Sequence, residues 1–189
     1  MNQLANSHHD NPKALTHFLG ISQICTWGAF YYAFPLIAVV MQSELGWSKS
    51  DLYGALTVGL LISACLTYPV GLAIDRGYGR HVMMLASLGT AVLMIAWSFV
   101  HDLTTFYVVA SLLGALQAAI LYEPAFAILA RRVGPLNSRK GITYITLWGG
   151  FASTVFIPIE QMLLNHWGWR ESLWVLAGVY LVCAAGFWC

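Results

Sequence analysis

Six long stretches of this chain contain no Asp, Glu, Lys or Arg, and this pattern constrains the fold more than any other feature. They cover residues 14–43, 52–74, 81–101, 103–122, 141–159 and 172–189. A helix that crosses about 30 Å of hydrocarbon needs roughly 20 apolar residues. Charged residues make up only 9% of the chain, against about 25% in soluble domains. The expected solvent is therefore a lipid bilayer.

The pattern predicts an all-α integral membrane protein with six transmembrane helices. A buried helix of a soluble protein typically stops after about 10–14 apolar residues and shows a polar face every 3.6 residues, which these stretches lack. Residues 1–16 are predicted to form a tail, and residues 17–189 a six-helix unit. The expected spans are about 17–40, 52–74, 82–100, 103–130, 142–164 and 172–189.

The positions of the basic residues predict the orientation of the chain. If the tail is cytoplasmic and the chain alternates sides, seven of the nine basic residues lie on the cytoplasmic side: Lys13, Arg76, Arg80, Arg131, Arg132, Arg139 and Lys140. Short loops follow this Lys/Arg bias. We therefore expect a multi-pass protein of a plasma or inner membrane with a cytoplasmic N-terminus. A net charge of only +1 argues against a nucleic-acid partner.

Two acidic residues fall inside the apolar stretches or at their ends. Glu123 precedes Pro124 in the fourth span, and an ionisable side chain at membrane depth normally faces a cavity or a partner. Glu123 is therefore a candidate proton carrier or part of a substrate gate, or else a structural partner of a neighbouring helix. Glu160 lies near the end of the fifth span, where we expect its side chain to reach the interface.

The first span carries a stripe of polar and aromatic residues. Gln23, Trp27 and Tyr31 are spaced i, i+4 and i+8, which places them on one helix face. Such a stripe suits a solute pathway, although the same spacing also fits packing between helices. With Tyr32 and Glu123, these residues form the candidate proton or substrate site.

The remaining residues give little sign of enzymatic chemistry. The four cysteines all lie in apolar stretches without CxxC spacing, so we interpret them as packing residues rather than metal ligands. No HExxH motif, paired Asp or Ser/His arrangement lies at a common depth. We expect neither a metal nor a cofactor, and no enzyme activity.

The stretch GLAIDRGYGR (71–80) between the second and third spans carries a family resemblance. Gly71, Asp75, Arg76 and Arg80 are spaced as in the signature loop of the major facilitator superfamily, which this loop resembles; Gly79 and Gly77 flank Tyr78, where the signature has a glycine. Three further segments look like the monocarboxylate transporter branch and its bacterial relatives: YAFP (32–35), YEPAFAILARR (122–132) and residues 149–178.

The resemblance implies a fold of twelve helices in two halves, each built from 3+3 inverted repeats, with substrate held between the halves. This chain resembles the N-terminal half, so it looks truncated. The implied function is secondary transport of a small organic anion, such as a monocarboxylate, by alternating access with H⁺ or Na⁺ as coupling ion. The rest of the site would come from a missing C-terminal half or a second copy of the chain. In the implied gating loop, Asp75 accepts hydrogen bonds at a helix end and pairs with basic groups.

Two departures from the family pattern affect the expected chemistry. Leu36 follows YAFP where several monocarboxylate transporters have a lysine, and Ala110 stands where many antiporters of the superfamily have an arginine. The alternative to a transporter is a non-transporting six-helix membrane module or fragment, such as a receptor or an assembly partner.

Overall fold

The computed structural model describes residues 12–188, with the backbone alone at residues 12, 13 and 135–137, so most of the predicted tail lies outside the described residues. Over this range the chain is helical and contains no strand. The helices are α1 (Pro12–Thr26), α2 (Ala33–Leu45), α3 (Lys49–Ala73), α4 (Gly79–Ser98), α5 (Leu103–Gln117), α6 (Tyr122–Val133), α7 (Pro135–Gly150), α8 (Ala152–His166) and α9 (Trp169–Trp188). Trp27–Tyr32 and Ile74–Tyr78 are π-helical.

Five continuous helical stretches of the described residues are long and apolar enough to cross a membrane: Ala14–Leu45, Lys49–Ser98, Leu103–Val133, Ser138–His166 and Trp169–Trp188. The second contains 50 residues, which at about 1.5 Å per residue exceeds twice the thickness of the hydrocarbon. It is broken at Gly77, whose φ of 96° lies in the region that favours glycine. The stretch therefore consists of two helices, α3 and α4.

Contacts with α5 show that α3 and α4 form an antiparallel hairpin. Gly59 of α3 packs on Gly114 of α5, and Gly89 of α4 packs on Leu116 of the same helix. Gly59 and Gly89 are equally far along the chain from Ile74, and α5 is only 15 residues long. Both can reach one level of α5 only if the chain reverses at Ile74–Tyr78. Residues 12–188 thus make six helical passes: α1 with α2, α3, α4, α5 with α6, α7 with α8, and α9.

The pattern of helix packing has an internal symmetry. The most extensive contacts pair the third pass with the sixth, the second with the fourth, and the first with the fifth. Exchanging passes one to three with passes four to six leaves this set of pairs unchanged. That is the pattern of two three-helix repeats, and the predicted fold class, an all-α membrane bundle of 3+3 repeats, is confirmed.

Aromatic rings form the centre of the core between the first, third and fourth passes. The ring of Trp97 lies 5.8 Å from that of Phe34 and 5.9 Å from that of Phe106, and all three side chains are buried. Tilted ring pairs at these separations add about 0.5–1.5 kcal/mol to the energy of burial. The core thus fixes the first pass, which carries most of the candidate solute residues.

Side-chain caps define two helix starts at the end of the bundle opposite the loop 74–80. Ser48 and Asp51 form a reciprocal capping box at the start of α3, as their spacing predicts. Asp102 caps α5 by accepting hydrogen bonds from the Thr105 hydroxyl at 2.6 Å and the Thr105 N–H at 2.9 Å. These bonds hold the pKa of the Asp102 carboxyl below its usual value.

Candidate functional site

The loop at residues 74–80 is held by an arginine from the fourth pass. Arg131 of α6 donates hydrogen bonds to the backbone carbonyls of Ile74, at 3.0 Å, and Asp75. Carbonyls at the end of a helix lack partners within the helix, and a guanidinium is a suitable donor because it presents several N–H groups in one plane. The sequence alone indicated Arg131 only as a member of a basic loop.

A second arginine joins this loop to the last helix. Arg80 donates from Nε to the Phe187 carbonyl at 3.0 Å and from a terminal nitrogen to the Trp188 carbonyl at 2.9 Å. Arg80 and Arg131 thus connect the α3–α4 turn to α9 and α6. We call this end of the bundle, with residues 74–80 and 131–140, the basic end.

Three glycines of the signature region have different surroundings. Gly77 makes the turn, and Gly79 lies so close to Ile128 of α6 that an added Cβ would come within 2.6 Å of its side chain. Gly71 is different, because a Cβ there would meet no atom within 4 Å. Packing within the described residues therefore explains Gly79, but it does not explain Gly71.

Asp75 lies one turn after Gly71 on the same face of the helix. Its carboxylate is exposed and has no hydrogen bond or ion pair within residues 12–188, and Arg76 beside it is also exposed. The carbonyl of Asp75, rather than its side chain, is the group that Arg131 binds. The face with Gly71 and Asp75 is thus free of packing in the part of the chain that the structure describes.

The first pass widens into a π-helix at Trp27–Tyr32, which ends three residues before Pro35. Proline has no N–H for the carbonyl of residue i−4 and crowds it, which explains why the regular α-helical bonding is interrupted next to Tyr31. Within this segment the Trp27 and Tyr31 rings lie 4.7 Å apart, and Trp27 lies 5.1 Å from Tyr122 of α6. The structure therefore brings Trp27 and Tyr31 together and adds Tyr122, which the sequence did not indicate.

Gln23 is more deeply buried than the aromatic residues Trp27 and Tyr31. Its side chain is 0% exposed, and its amide donates to the Ile120 carbonyl at 3.0 Å. Ile120 lies in the break between α5 and α6, where carbonyls lose their helical partners. Gln23 thus stabilises the break between α5 and α6, and its side chain does not line an open surface of the bundle.

Glu123 occupies the first turn of α6, next to that break. Its side chain is exposed, and it follows Tyr122, whose ring lies 5.1 Å from that of Trp27. Tyr31 and Tyr32 of the first pass are half-buried. Glu123, Tyr31, Tyr32 and Trp27 therefore lie around one region between the first and fourth passes.

Glu160 does not reach the surface, so the expectation from its sequence position is wrong. Its side chain is 0% exposed, and neither carboxylate oxygen has a hydrogen-bond partner within residues 12–188. The side chain points into the bundle because α8 presents this face to the first pass: Phe156, one turn earlier, lies against Gly28. Position along the sequence could not distinguish the two faces of α8.

An ionic contact joins the first and last passes at the end opposite the basic end. Glu44 accepts a hydrogen bond from the Trp169 indole N–H at 2.8 Å and forms an ion pair with Arg170. The Arg170 guanidinium also lies over the Trp169 ring, 4.2 Å from its centroid. Trp169 is buried, so this Trp-Arg pair positions the start of α9.

A cavity of about 790 Å³ opens at the basic end. Apolar side chains of α1, α6 and α9 line it, together with Arg80, Arg131 and Arg132. Trp27, Tyr31 and Glu123 do not line it. The cavity is therefore distinct from the candidate solute region.

Comparison with known proteins identifies the family. The profile of the Major Facilitator Superfamily matches residues 19–189. Over 170 residues the chain is 29% identical to monocarboxylate transporter 4 of Mus musculus, covering 82% of this chain and 34% of that protein. Over 159 residues it is 33% identical to monocarboxylate transporter 13 of Bos taurus, covering 82% and 35%.

These relatives agree with the resemblance seen in the sequence, including its monocarboxylate transporter branch. The chain spans about a third of the length of the curated relatives that it matches. Together, the symmetric helical bundle, the Gly71–Arg80 loop and the match over residues 19–189 lead to one conclusion: this chain belongs to the Major Facilitator Superfamily.

Proposed function

We propose that this chain is the N-terminal half of a secondary transporter that moves a small organic anion, such as a monocarboxylate, by alternating access. The superfamily match and the similarity to two monocarboxylate transporters support transport of this class. The proposed coupling ion is H⁺ or Na⁺. The remaining part of the site would come from a C-terminal half or a second copy of this chain.

The unpartnered face of α3 carries the proposal. Within residues 12–188, Gly71 has room beside it and the Asp75 carboxylate has no partner, although both belong to the loop that resembles the family signature. Much of the later part of α3 is exposed, including Leu61 at 64% and Tyr68 at 74%. A second six-helix half packed there would cover this surface, and Asp75 would pair with a donor from it.

The proposed solute region is the space beside Trp27, Tyr31, Tyr32 and Glu123. The buried Trp27 indole N–H has no acceptor within residues 12–188, and a donor of this kind suits a carboxylate. Glu123 would repel an anion when it is ionised, so we assign it to gating or proton exchange rather than to direct anion binding. Gln23 would act indirectly, by holding the break at Ile120.

The proposed orientation places the basic end in the cytoplasm of a cell bounded by a plasma or inner membrane. Arg76, Arg80, Arg131 and Arg132 gather at this end, and short loops rich in Lys and Arg remain on the cytoplasmic side. Cysteine labelling from each side of sealed vesicles tests this placement. A cysteine introduced at Arg139 or Lys140, in the first part of α7, should react only from the cytoplasmic side.

Uptake by the full-length protein in proteoliposomes tests the function directly. A panel of radiolabelled monocarboxylates and larger organic anions is supplied with an inward H⁺ or Na⁺ gradient. We expect uptake of at least one anion and slower uptake in Asp75→Asn, with Glu171→Gln, at an exposed site on α9, as the control. Absence of uptake across the panel would reject the proposal and favour a non-transporting membrane module.

A further inference from the structure

Glu160 is an acidic side chain in the interior of the bundle. It is 0% exposed, and both of its carboxylate oxygens lack a hydrogen-bond partner within residues 12–188. Because the passes described here already enclose it, a second half of the protein could not reach it in this conformation. Any partner it gains must come from a rearrangement of these passes.

No basic side chain of the described residues forms a hydrogen bond with Glu160. Next to α8 lie the π-helical segment Trp27–Tyr32, α2 and α9, with smaller contacts to α1 and α7. The titratable and charged side chains on the first three elements and on α8 itself are Tyr31, Tyr32, Glu44, His166, Arg170, Glu171, Tyr180 and Cys183. Those described on α1 and α7 are His17, Cys25, Arg139, Lys140 and Tyr144. None of them forms a hydrogen bond with the Glu160 carboxylate.

Glu44, by contrast, is an exposed acid at the end of the bundle that has polar partners. Its carboxylate accepts a hydrogen bond from the Trp169 indole and pairs with Arg170. An ionised carboxylate without such partners costs several kcal/mol in an apolar interior. The packing around Glu160 therefore fits the neutral acid.

We propose that Glu160 is a proton-binding site of the transporter. The carboxylate takes one proton from the aqueous phase on one side, forming the neutral acid that this conformation encloses. After a rearrangement it releases the same proton on the other side and becomes a carboxylate again. We infer the protonation from the structure alone, whereas its coupling to solute movement rests on the proposed function.

The contact next to Glu160 suggests how the site could open. Phe156, one turn earlier on the same face of α8, lies against Gly28, where an added Cβ would come within 2.1 Å of its ring. Gly28 is part of the π-helical segment before Pro35, and irregular segments of this kind are places where helices bend. Bending of the first pass at Trp27–Tyr32 would separate it from Phe156 and admit water to Glu160.

The same geometry favours a proton over sodium at this site. Sodium sites in transporters use several oxygens, including carbonyls of unwound helices. No polar group of the described residues lies within hydrogen-bonding distance of the Glu160 carboxylate. A proton needs only the carboxylate itself.

Infrared difference spectroscopy of the full-length protein in nanodiscs tests the protonation without requiring transport. An ordinary Glu side chain titrates near about pH 4.3, so a protonated-carboxyl band that persists at neutral pH indicates an enclosed acid. We expect this band to disappear in Glu160→Gln and to remain in Glu171→Gln. A band that is unchanged in Glu160→Gln, or that is lost in Glu123→Gln instead, overturns the inference. So does a Glu160→Gln protein that fails to fold, since the amide closely matches the neutral acid in size.

Proteoliposome assays separate the coupling from the proposed function. In Glu160→Gln we expect loss of uptake driven by an H⁺ gradient, with exchange of internal for external solute retained and Glu171→Gln behaving as wild type. Unchanged H⁺-driven accumulation in Glu160→Gln refutes the coupling. If the wild-type protein transports none of the anions while the infrared band behaves as expected, the proposed function fails and the proton site stands.

Discussion

Replacing Gly114 with alanine tests the closest helix crossing in the bundle. Gly59 of α3 and Gly114 of α5 meet backbone to backbone, each preceded four residues earlier by an alanine, Ala55 and Ala110. Small residues at this spacing allow two membrane helices to approach closely. A Cβ at Gly114 would lie 2.4 Å from the Gly59 Cα and 2.5 Å from its carbonyl carbon.

The loss of stability in Gly114→Ala depends on how far α3 and α5 must move apart. Carbon atoms in contact prefer about 3.5–4.0 Å, so α3 and α5 would have to separate by about 1 Å along their contact. Overpacking of this kind costs about 1–3 kcal/mol, and the higher helix propensity of alanine offsets about 0.5–1 kcal/mol of it. We therefore expect Gly114→Ala to lower the free energy of unfolding by up to about 2.5 kcal/mol.

Gly178→Ala is the matched control because an added Cβ at this position of α9 meets no atom within 4 Å. The same substitution should stabilise the protein there by up to about 1 kcal/mol. Both variants are compared with wild type by unfolding in mixed detergent micelles, with helix content followed by circular dichroism. Equal effects at the two glycines, or stabilisation by Gly114→Ala, would refute the packing argument.

Three further predictions concern polar contacts. Tyr180→Phe removes the buried hydrogen bond of 3.0 Å from the Tyr180 hydroxyl to the Thr26 carbonyl and should cost about 0.5–1.5 kcal/mol in the same unfolding assay; no change would mean that the bond contributes nothing. Arg131→Met should speed hydrogen exchange of the backbone amides at residues 74–80 and leave exchange at residues 45–51 unchanged, because only residues 74–80 lose the hydrogen bonds from Arg131. Equal exchange at residues 74–80 in the wild-type and variant proteins would contradict this role. In the folded state, hydrogen bonds from Thr105 lower the pKa of Asp102, so its contribution to stability is present above the unfolded pKa of about 3.9 and is lost as pH falls through the folded value. Asp102→Asn keeps a cap but cannot titrate, so the advantage of wild type in melting temperature should shrink in acid; a constant difference would exclude this linkage.

The candidate residues show where sequence reasoning succeeded and where it stopped. Helical spacing placed Trp27 and Tyr31 on one face, and their rings are in contact. The same spacing included Gln23, which instead bonds to a carbonyl in the break between α5 and α6. Spacing along one helix reveals which residues share a face, but it cannot reveal which neighbour that face meets.

Glu160 illustrates the same limit for a charged group. Its short distance from the end of the span suggested that the side chain could reach the interface, as long Lys and Arg side chains near helix ends do. Its depth along the helix is a property of the sequence, whereas its direction depends on how α8 packs against the first pass. The close contact of Phe156 with Gly28 fixes that direction and leaves Glu160 enclosed.

The sequence by itself determined the membrane class, the helical fold and the reversal of the chain at residues 71–80. These follow from the length of the uncharged stretches and from the backbone requirements of a bilayer, which act on each segment separately. Only the tertiary structure decided that Arg80 and Arg131 bind carbonyls of other passes, that Gly71 and Asp75 lie on an unpacked face, and that Glu160 is enclosed. These features depend on the relative placement of helices distant in sequence, which arises from packing many side chains together and leaves no periodic signal in the chain.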